Sequence, residues 1–215
     1  MRRAPRMLHS YIAIEGLIGA GKTTLAKRLC ELYNGRLVLE EFDDNPFLPR
    51  FYDDPERYAF AVELGFLAQR YHQLKRVTER ELFTPVTVAD YSIGKSLVFA
   101  SVTLPADEYA LFRDLYNIMY ADLPQPELIV YLHLPMDRVQ QRIQQRGRSY
   151  EQSIPPDYLA RLQDRYLDHL QKLNGPRVLI VDLSKTDLLR DAAAFQHVLE
   201  AMDSSGMERH VVLEP

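Results

Sequence analysis

The run Gly16-Leu17-Ile18-Gly19-Ala20-Gly21-Lys22-Thr23 constrains the fold of this chain more than any other feature. It matches G-x-x-x-x-G-K-[ST], in which glycines let backbone N–H groups close around a polyphosphate. The lysine of that motif reaches the β/γ-phosphates, and the threonine hydroxyl can ligate Mg²⁺. The motif needs a strand before it and a helix after it. Tyr11-Ile12-Ala13-Ile14 supplies a β-branched run on one side, and Leu25, Leu29 and Leu32 recur at helical spacing on the other. A helix N-terminus here adds its dipole to the anion seat. A nucleoside triphosphate is therefore expected along Gly16, Leu17, Ile18, Gly19, Ala20, Gly21, Lys22, Thr23 and Thr24.

Strand and helix patterns alternate along the rest of the chain, which implies an α/β fold around a mainly five-stranded parallel sheet flanked by helices. The patterns predict strands at Tyr11–Glu15, Arg36–Glu40, Val86–Asp90, Leu128–Leu134 and Val178–Asp182. They predict helices at about Lys22–Tyr33, Pro55–Glu79, Leu104–Leu123, Met136–Gly147, Pro156–Leu173 and Asp187–Met202. Asn34-Gly35 and Asn174-Gly175-Pro176 are helix stops. No repeat or linker divides the chain, so one domain is expected over 10–215 behind a flexible tail at 1–9. A length of 215 residues, 47% of them apolar, is enough for a full core. The formal charge of −4 gives no support to nucleic-acid binding through a broad basic face. Cys30 stands alone, so an intrachain disulfide is excluded. No apolar run approaches the length of a membrane span or a signal peptide, and a cytoplasmic protein with no membrane partner is expected.

Three of the strands end in carboxylates: Glu40-Glu41, Asp90 and Asp182. Ligands of an open parallel sheet bind beyond its C-terminal edge, so these groups are either site residues or plain polar strand ends. A second dense signal is Arg142-Ile143-Gln144-Gln145-Arg146-Gly147-Arg148. Arg142 and Arg146 share one helix face, and Gly147 ends the helix so that Arg148 can turn inward. Three guanidiniums this close repel one another unless an anion lies between them, and their planar forks suit phosphate oxygens. Alone, such an Arg-rich helix end could be a solvated face that complements the helix dipole; beside a phosphate loop, an Arg-rich lid closing on the triphosphate is expected.

With these residues in view, the chain resembles the deoxynucleoside kinase family, above all bacterial members acting on deoxyadenosine, deoxyguanosine or deoxycytidine. The resemblance spans about Tyr11 to Asp187. Its blocks are the phosphate loop, Glu40 through Leu48, Tyr52 through Tyr58, and Arg142 through Gln152 with Ile154, Tyr158 and Leu159. It implies a P-loop kinase fold and transfer of the ATP γ-phosphoryl group to a deoxynucleoside 5′-hydroxyl, a purine being preferred. It implies Glu40 as general base, with Lys22 and Arg146 as the other catalytic groups, and Tyr52 with Glu151 on the sugar 3′-hydroxyl. Asp90 with Thr23 would serve Mg²⁺, Asp90 also bordering the substrate, and Arg142, Arg146 and Arg148 would be the lid cations. The segment Asp182–Asp187, with Lys185 and Thr186, would cover the donor adenine. A homodimer packed through the Pro55–Glu79 and Leu104–Leu123 helices is implied as well.

Two positions depart from the family pattern. Glu63 falls where many relatives carry a base-reading glutamine, and a carboxylate only accepts hydrogen bonds, which suits a guanine edge better than an adenine edge. It lies either in that site or on an exposed helix face, with Gln69 or Arg70 as alternative readers. Tyr91 stands where an arginine is usual, and Lys95 is the candidate to supply the missing charge. Two rival functions share the loop. A nucleoside monophosphate kinase would need further acceptor cations, for which Arg57 and Arg70 are the candidates. A nucleotide-controlled switch would use Ser184-Lys185-Thr186-Asp187 but lacks an Asp-x-x-Gly after the third strand.

Overall fold

A computed structural model of the chain describes residues 7–41, 45–77, 85–148, 151–152, 154–188, 190–204 and 210–215. Six parallel strands form one sheet in the order β2-β3-β1-β4-β5-β6. They are β1 (Tyr11–Gly16), β2 (Arg36–Val38), β3 (Thr87–Ala89), β4 (Leu128–His133), β5 (Arg177–Asp182) and β6 (His210–Leu213). The helices are α1 (Lys22–Tyr33), α2 (Leu48–Asp53), α3 (Pro55–Val77), α4 (Lys95–Thr103), α5 (Ala106–Tyr120), α6 (Met136–Arg146), α7 (Pro156–Lys172) and α8 (Ala192–Asp203).

β1 and β4 are covered on both faces, which is why Ile12-Ala13-Ile14 and Leu128-Ile129-Val130-Tyr131-Leu132 are continuous apolar runs rather than alternating ones. One core packs these strands against α1, α6, α7 and α8 through residues such as Leu25, Val139, Tyr166 and Val198. A second core gathers Phe51 of α2, Leu67 and Leu74 of α3, Ala100 of α4 and Phe112 of α5 around Tyr91. The seam between the cores opens at the C-terminal edge of β1, β2 and β3. Strand β1 is flanked by β3 and β4, and at such a reversal of strand order the connecting loops part and leave a crevice.

The sheet has six strands rather than the five expected. Strand β6, outermost in the sheet, alternates exposed and half-buried residues over only four positions, too short a run for a period to stand out. Helices α2 and α4 were also unexpected. Lys95-Ser96-Leu97-Val98-Phe99-Ala100-Ser101-Val102-Thr103 is rich in β-branched residues, but Lys95, Ser96, Val98 and Ala100 are buried, and packing overrides the weak local preference. The strand predicted to reach Glu40 ends its pairing at Val38, and the helix predicted from Leu104 starts after Pro105. Part of the expected tail at 1–9, and the segment Phe42-Asp43-Asp44, lie outside the described residues. Among the described residues no helix is long and apolar enough to cross a membrane.

Candidate active site

β1 delivers the chain to the phosphate loop through Gly16, whose φ of 146° lies in the region that favours glycine; a Cβ there would sit 2.7 Å from the Leu132 carbonyl oxygen of β4. Lys22, the first residue of α1, turns its Nζ back to donate to the carbonyls of Gly16 and Leu17, each at 2.9 Å. Burial, reinforced by the charge of Lys95, lowers the Lys22 ammonium to about 8. Beside it the Thr23 hydroxyl donates to Asp90 Oδ2 at 2.6 Å, while Asp90 Oδ1 accepts the Glu40 backbone N–H at 2.7 Å. Asp90 thus joins the loop to the chain leaving β2.

Glu40 is the most heavily paired group of the site. Its Oε1 accepts from Arg70 Nε at 3.0 Å and Nη2 at 2.6 Å, and its Oε2 accepts from Lys95 Nζ. Burial works to raise its pKa, but Lys95 and Arg70 outweigh burial and hold the carboxyl well below the usual range. Arg70 is fixed in turn by the Ser96 hydroxyl at 2.8 Å and lies 5.0 Å from the centre of the Phe66 ring. Glu41 points the other way, towards exposed Arg76, as the alternation of side chains along an extended chain requires.

The lid follows α6, which ends on Gly147 with its N–H returned to the Ile143 carbonyl. Arg148 Nη1 donates to Glu151 Oε1 at 3.2 Å, and Arg146 Nη1 lies 3.6 Å from the same oxygen. Glu151 Oε2 is buried and has no hydrogen-bond partner among the described residues. Arg142 pairs with Asp187 at 3.7 Å.

These residues border two chambers. The inner one, about 120 Å³, has apolar walls from Leu48, Phe51, Val62 and Phe66, and polar groups from Glu40, Tyr52, Glu63, Asp90, Arg148 and Glu151. The outer groove, about 520 Å³, is bordered by Gly19, Gly21, Thr24, Arg142, Gln145, Asp187 and Arg190. Lys22, Thr23 and Arg146 belong to both. A group placed at that junction would touch both spaces at once.

The structure therefore gathers most of the expected site residues and leaves a few aside. Leu17 and Ala20 turn their side chains into the core, and Ile18 lines the inner chamber. Exposed Lys185 and half-buried Thr186, whose hydroxyl donates to the Pro215 carbonyl, border neither chamber; Asp187 and Arg190 come to the groove instead. Asp182 accepts from the Ser184 N–H and hydroxyl, so it shapes its own turn. Tyr91 is buried away from the loop, with its hydroxyl on Gln73 at 2.7 Å, and Lys95 reaches the site in its place. Glu63 is on the chamber wall, 3% exposed, rather than on an open helix face. Arg57 is exposed, and Arg70 is committed to Glu40, so neither offers a seat for a second substrate phosphate. Sequence reasoning missed Arg190, which no motif marks, and Glu15. The latter is 1% exposed beneath the loop, accepting from Ser92 N at 2.6 Å and the Tyr166 hydroxyl at 3.1 Å; it ties β1 to the turn after Asp90 and to α7.

Residues 12–205 match the model of the deoxynucleoside kinase family. A deoxyguanosine kinase of Bacillus subtilis (strain 168) is 36% identical over 194 residues, covering 87% of this chain and 93% of the relative. A deoxyadenosine/deoxycytidine kinase of the same organism is 30% identical over 204 residues, covering 91% and 93%. The solved structure of deoxyadenosine kinase from M. mycoides with bound dATP is similar in fold, with a TM-score of 0.77 at 23% identity over 90% of this chain and 100% of that one.

Proposed function

The chain belongs to the deoxynucleoside kinase family, and on that premise we propose that it transfers the γ-phosphoryl group of ATP to the 5′-hydroxyl of a deoxynucleoside, a purine being preferred. The carrying observation is the pair of chambers that share Lys22, Thr23 and Arg146. ATP occupies the outer groove, where cations and loop N–H groups suit a polyanion. The deoxynucleoside occupies the inner chamber, where apolar walls suit a flat base and buried carboxylates suit hydroxyls.

In this reading Lys22 leaves its two carbonyl partners to neutralise the transferring phosphoryl oxygens, and Arg146 does so from the lid. Phosphoryl transfer draws most of its acceleration from such positioning and charge. Glu40, held ionised by Arg70 and Lys95, accepts a hydrogen bond from the 5′-hydroxyl and aims it at the phosphorus. So acidic a carboxyl is a weak base in the ground state. Its proton uptake falls late, after the new P–O bond has made the alcohol strongly acidic. Tyr52 and the unsatisfied Glu151 Oε2 hold the sugar 3′-hydroxyl, and Arg142 and Arg148 complete the lid over the phosphates. The hydroxyl of Thr23 and the carboxylate of Asp90, 2.6 Å apart, are hard oxygen donors of the kind Mg²⁺ takes alongside phosphate and water. Mg²⁺ held there would neutralise β- and γ-phosphate charge.

Incubating the protein with ATP–Mg²⁺ and each of the four deoxynucleosides, with adenosine as the ribose control, tests the reading by monophosphate formation. ATP hydrolysis that ignores the nucleosides would instead favour a switch. A homodimer is proposed too, supported by Leu111 (54% exposed) and Ile118 (76%), which project two turns apart from one face of α5; sedimentation measures it. Buried, unpaired Cys30 supports residence in the reducing cytoplasm.

A further inference from the structure

Glu63 is a charged-type side chain in an otherwise apolar part of the inner chamber, between Val62 and Phe66 on α3. The groups facing it come from several elements. Arg70 lies on its own helix, Lys95 and Thr103 on α4, Glu40 beyond β2, Tyr158 on α7, and Tyr52 on α2. Arg148 and Glu151 of the lid close the opposite wall and are paired with each other. Among the described residues only Thr103 hydrogen-bonds the Glu63 carboxyl, its Oγ1 at 3.1 Å from Oε1. The same hydroxyl is also 3.1 Å from the Phe99 carbonyl, and its one proton serves one acceptor at a time. Oε2 and a lone pair of Oε1 are thus left for a ligand.

We propose that Glu63 reads the base directly and that its protonation state selects which purine is phosphorylated, guanine when ionised and adenine when neutral. The inference rests on the reading of the inner chamber as the deoxynucleoside site. An ionised carboxylate presents two acceptors, matching the N1–H and N2–H donors side by side on guanine. A neutral carboxyl presents one donor and one acceptor, matching N1 and the N6–H of adenine. The mismatched pairings leave acceptor against acceptor or donor against donor in a dry pocket, which is where discrimination is strongest. Burial pushes the Glu63 carboxyl up to about 7, against the opposing influence of Arg70, Thr103 and Lys95, so both forms exist near neutrality.

The experiment measures kcat/KM for deoxyguanosine and deoxyadenosine on the intact protein, in the same buffers, from about pH 6 to about pH 8. The ratio of the two cancels every ionisation they share, and neither purine titrates in that window. The deoxyguanosine-to-deoxyadenosine ratio is expected to climb about tenfold per pH unit. In Glu63→Gln the ratio falls at least about tenfold at the alkaline end and loses its pH dependence, because an amide is a permanent donor–acceptor pair. If that variant does not fold, Thr103→Val reads the same group. Without its hydroxyl the profile moves about one unit to higher pH, and Thr103→Ser restores it. A wild-type ratio flat with pH, or a Glu63→Gln enzyme that keeps the slope, overturns the proposal while the kinase reading stands. Absence of monophosphate from every deoxynucleoside overturns both.

Discussion

The two chambers differ in how their charge is balanced. Among the described residues of the outer groove, Lys22, Arg142, Arg146 and Arg190 face one carboxylate, Asp187. In the inner chamber Glu40, Glu63, Asp90 and Glu151 sit among Lys22, Arg70, Lys95, Arg146 and Arg148, and Glu40 and Glu151 are ion-paired inside the protein. The first space lacks the negative charge that would balance it, so a polyanion completes it. The second holds carboxylates and cations in nearly equal number and is suited to a neutral ligand that brings hydroxyls and a base edge. Sequence shows the cations of the lid but not this division, because the partners of Glu40 come from α3 and α4, 30 and 55 residues away.

Arg146 belongs to both chambers, and removing it should break the contrast most severely. Arg146→Ala is expected to lower kcat by about 10³-fold, as for a guanidinium that meets charge developing in the transition state. Single-turnover rates check this, and a loss confined to the KM for ATP would make the residue a mere tether. Glu40→Gln comes next, with kcat down by about 10²–10⁴-fold and ATP affinity near normal by calorimetry. Full turnover in that variant would take Glu40 out of the mechanism. Glu151→Gln alters the inner chamber, with the shared Arg146 3.6 Å away, and should raise the deoxynucleoside KM about tenfold; an equal rise in the ATP KM would show that the chambers are not separable. The mildest effect is on pH. Because the Lys22 ammonium titrates at about 8, its charge is present below that pH and lost above it. The kcat/KM for ATP should therefore fall by about tenfold per unit on the alkaline side, and a profile level to about pH 9.5 would contradict it.

Much of the fold was open to reading because its central strands are apolar throughout and its phosphate loop is fixed in length. β1, β4 and β5 and the helices α1, α6 and α7 were placed to within a few residues on that basis. The losses came where tertiary context decides. Helix α4 carries strand-like residues and is helical because it is wedged between α3, α5 and α7. β6 is a four-residue outer strand whose identity depends on β5 being there to pair with. In the site, adjacent Glu40 and Glu41 were separable only by which face each presents. Lys95 was the candidate to supply the charge that Tyr91 lacks, and it is Lys95 that reaches Glu40 from the start of α4 while the buried hydroxyl of Tyr91 rests on Gln73.

Lys22 has a resting place of its own. The Gly16 and Leu17 carbonyls receive its ammonium, so the loop itself offsets part of that positive charge. On the proposed reaction ATP would have to evict these carbonyls to gain the lysine, which would trim its grip. A phosphate that takes the lysine would therefore exchange partners at one side chain and leave the backbone of the loop where it is.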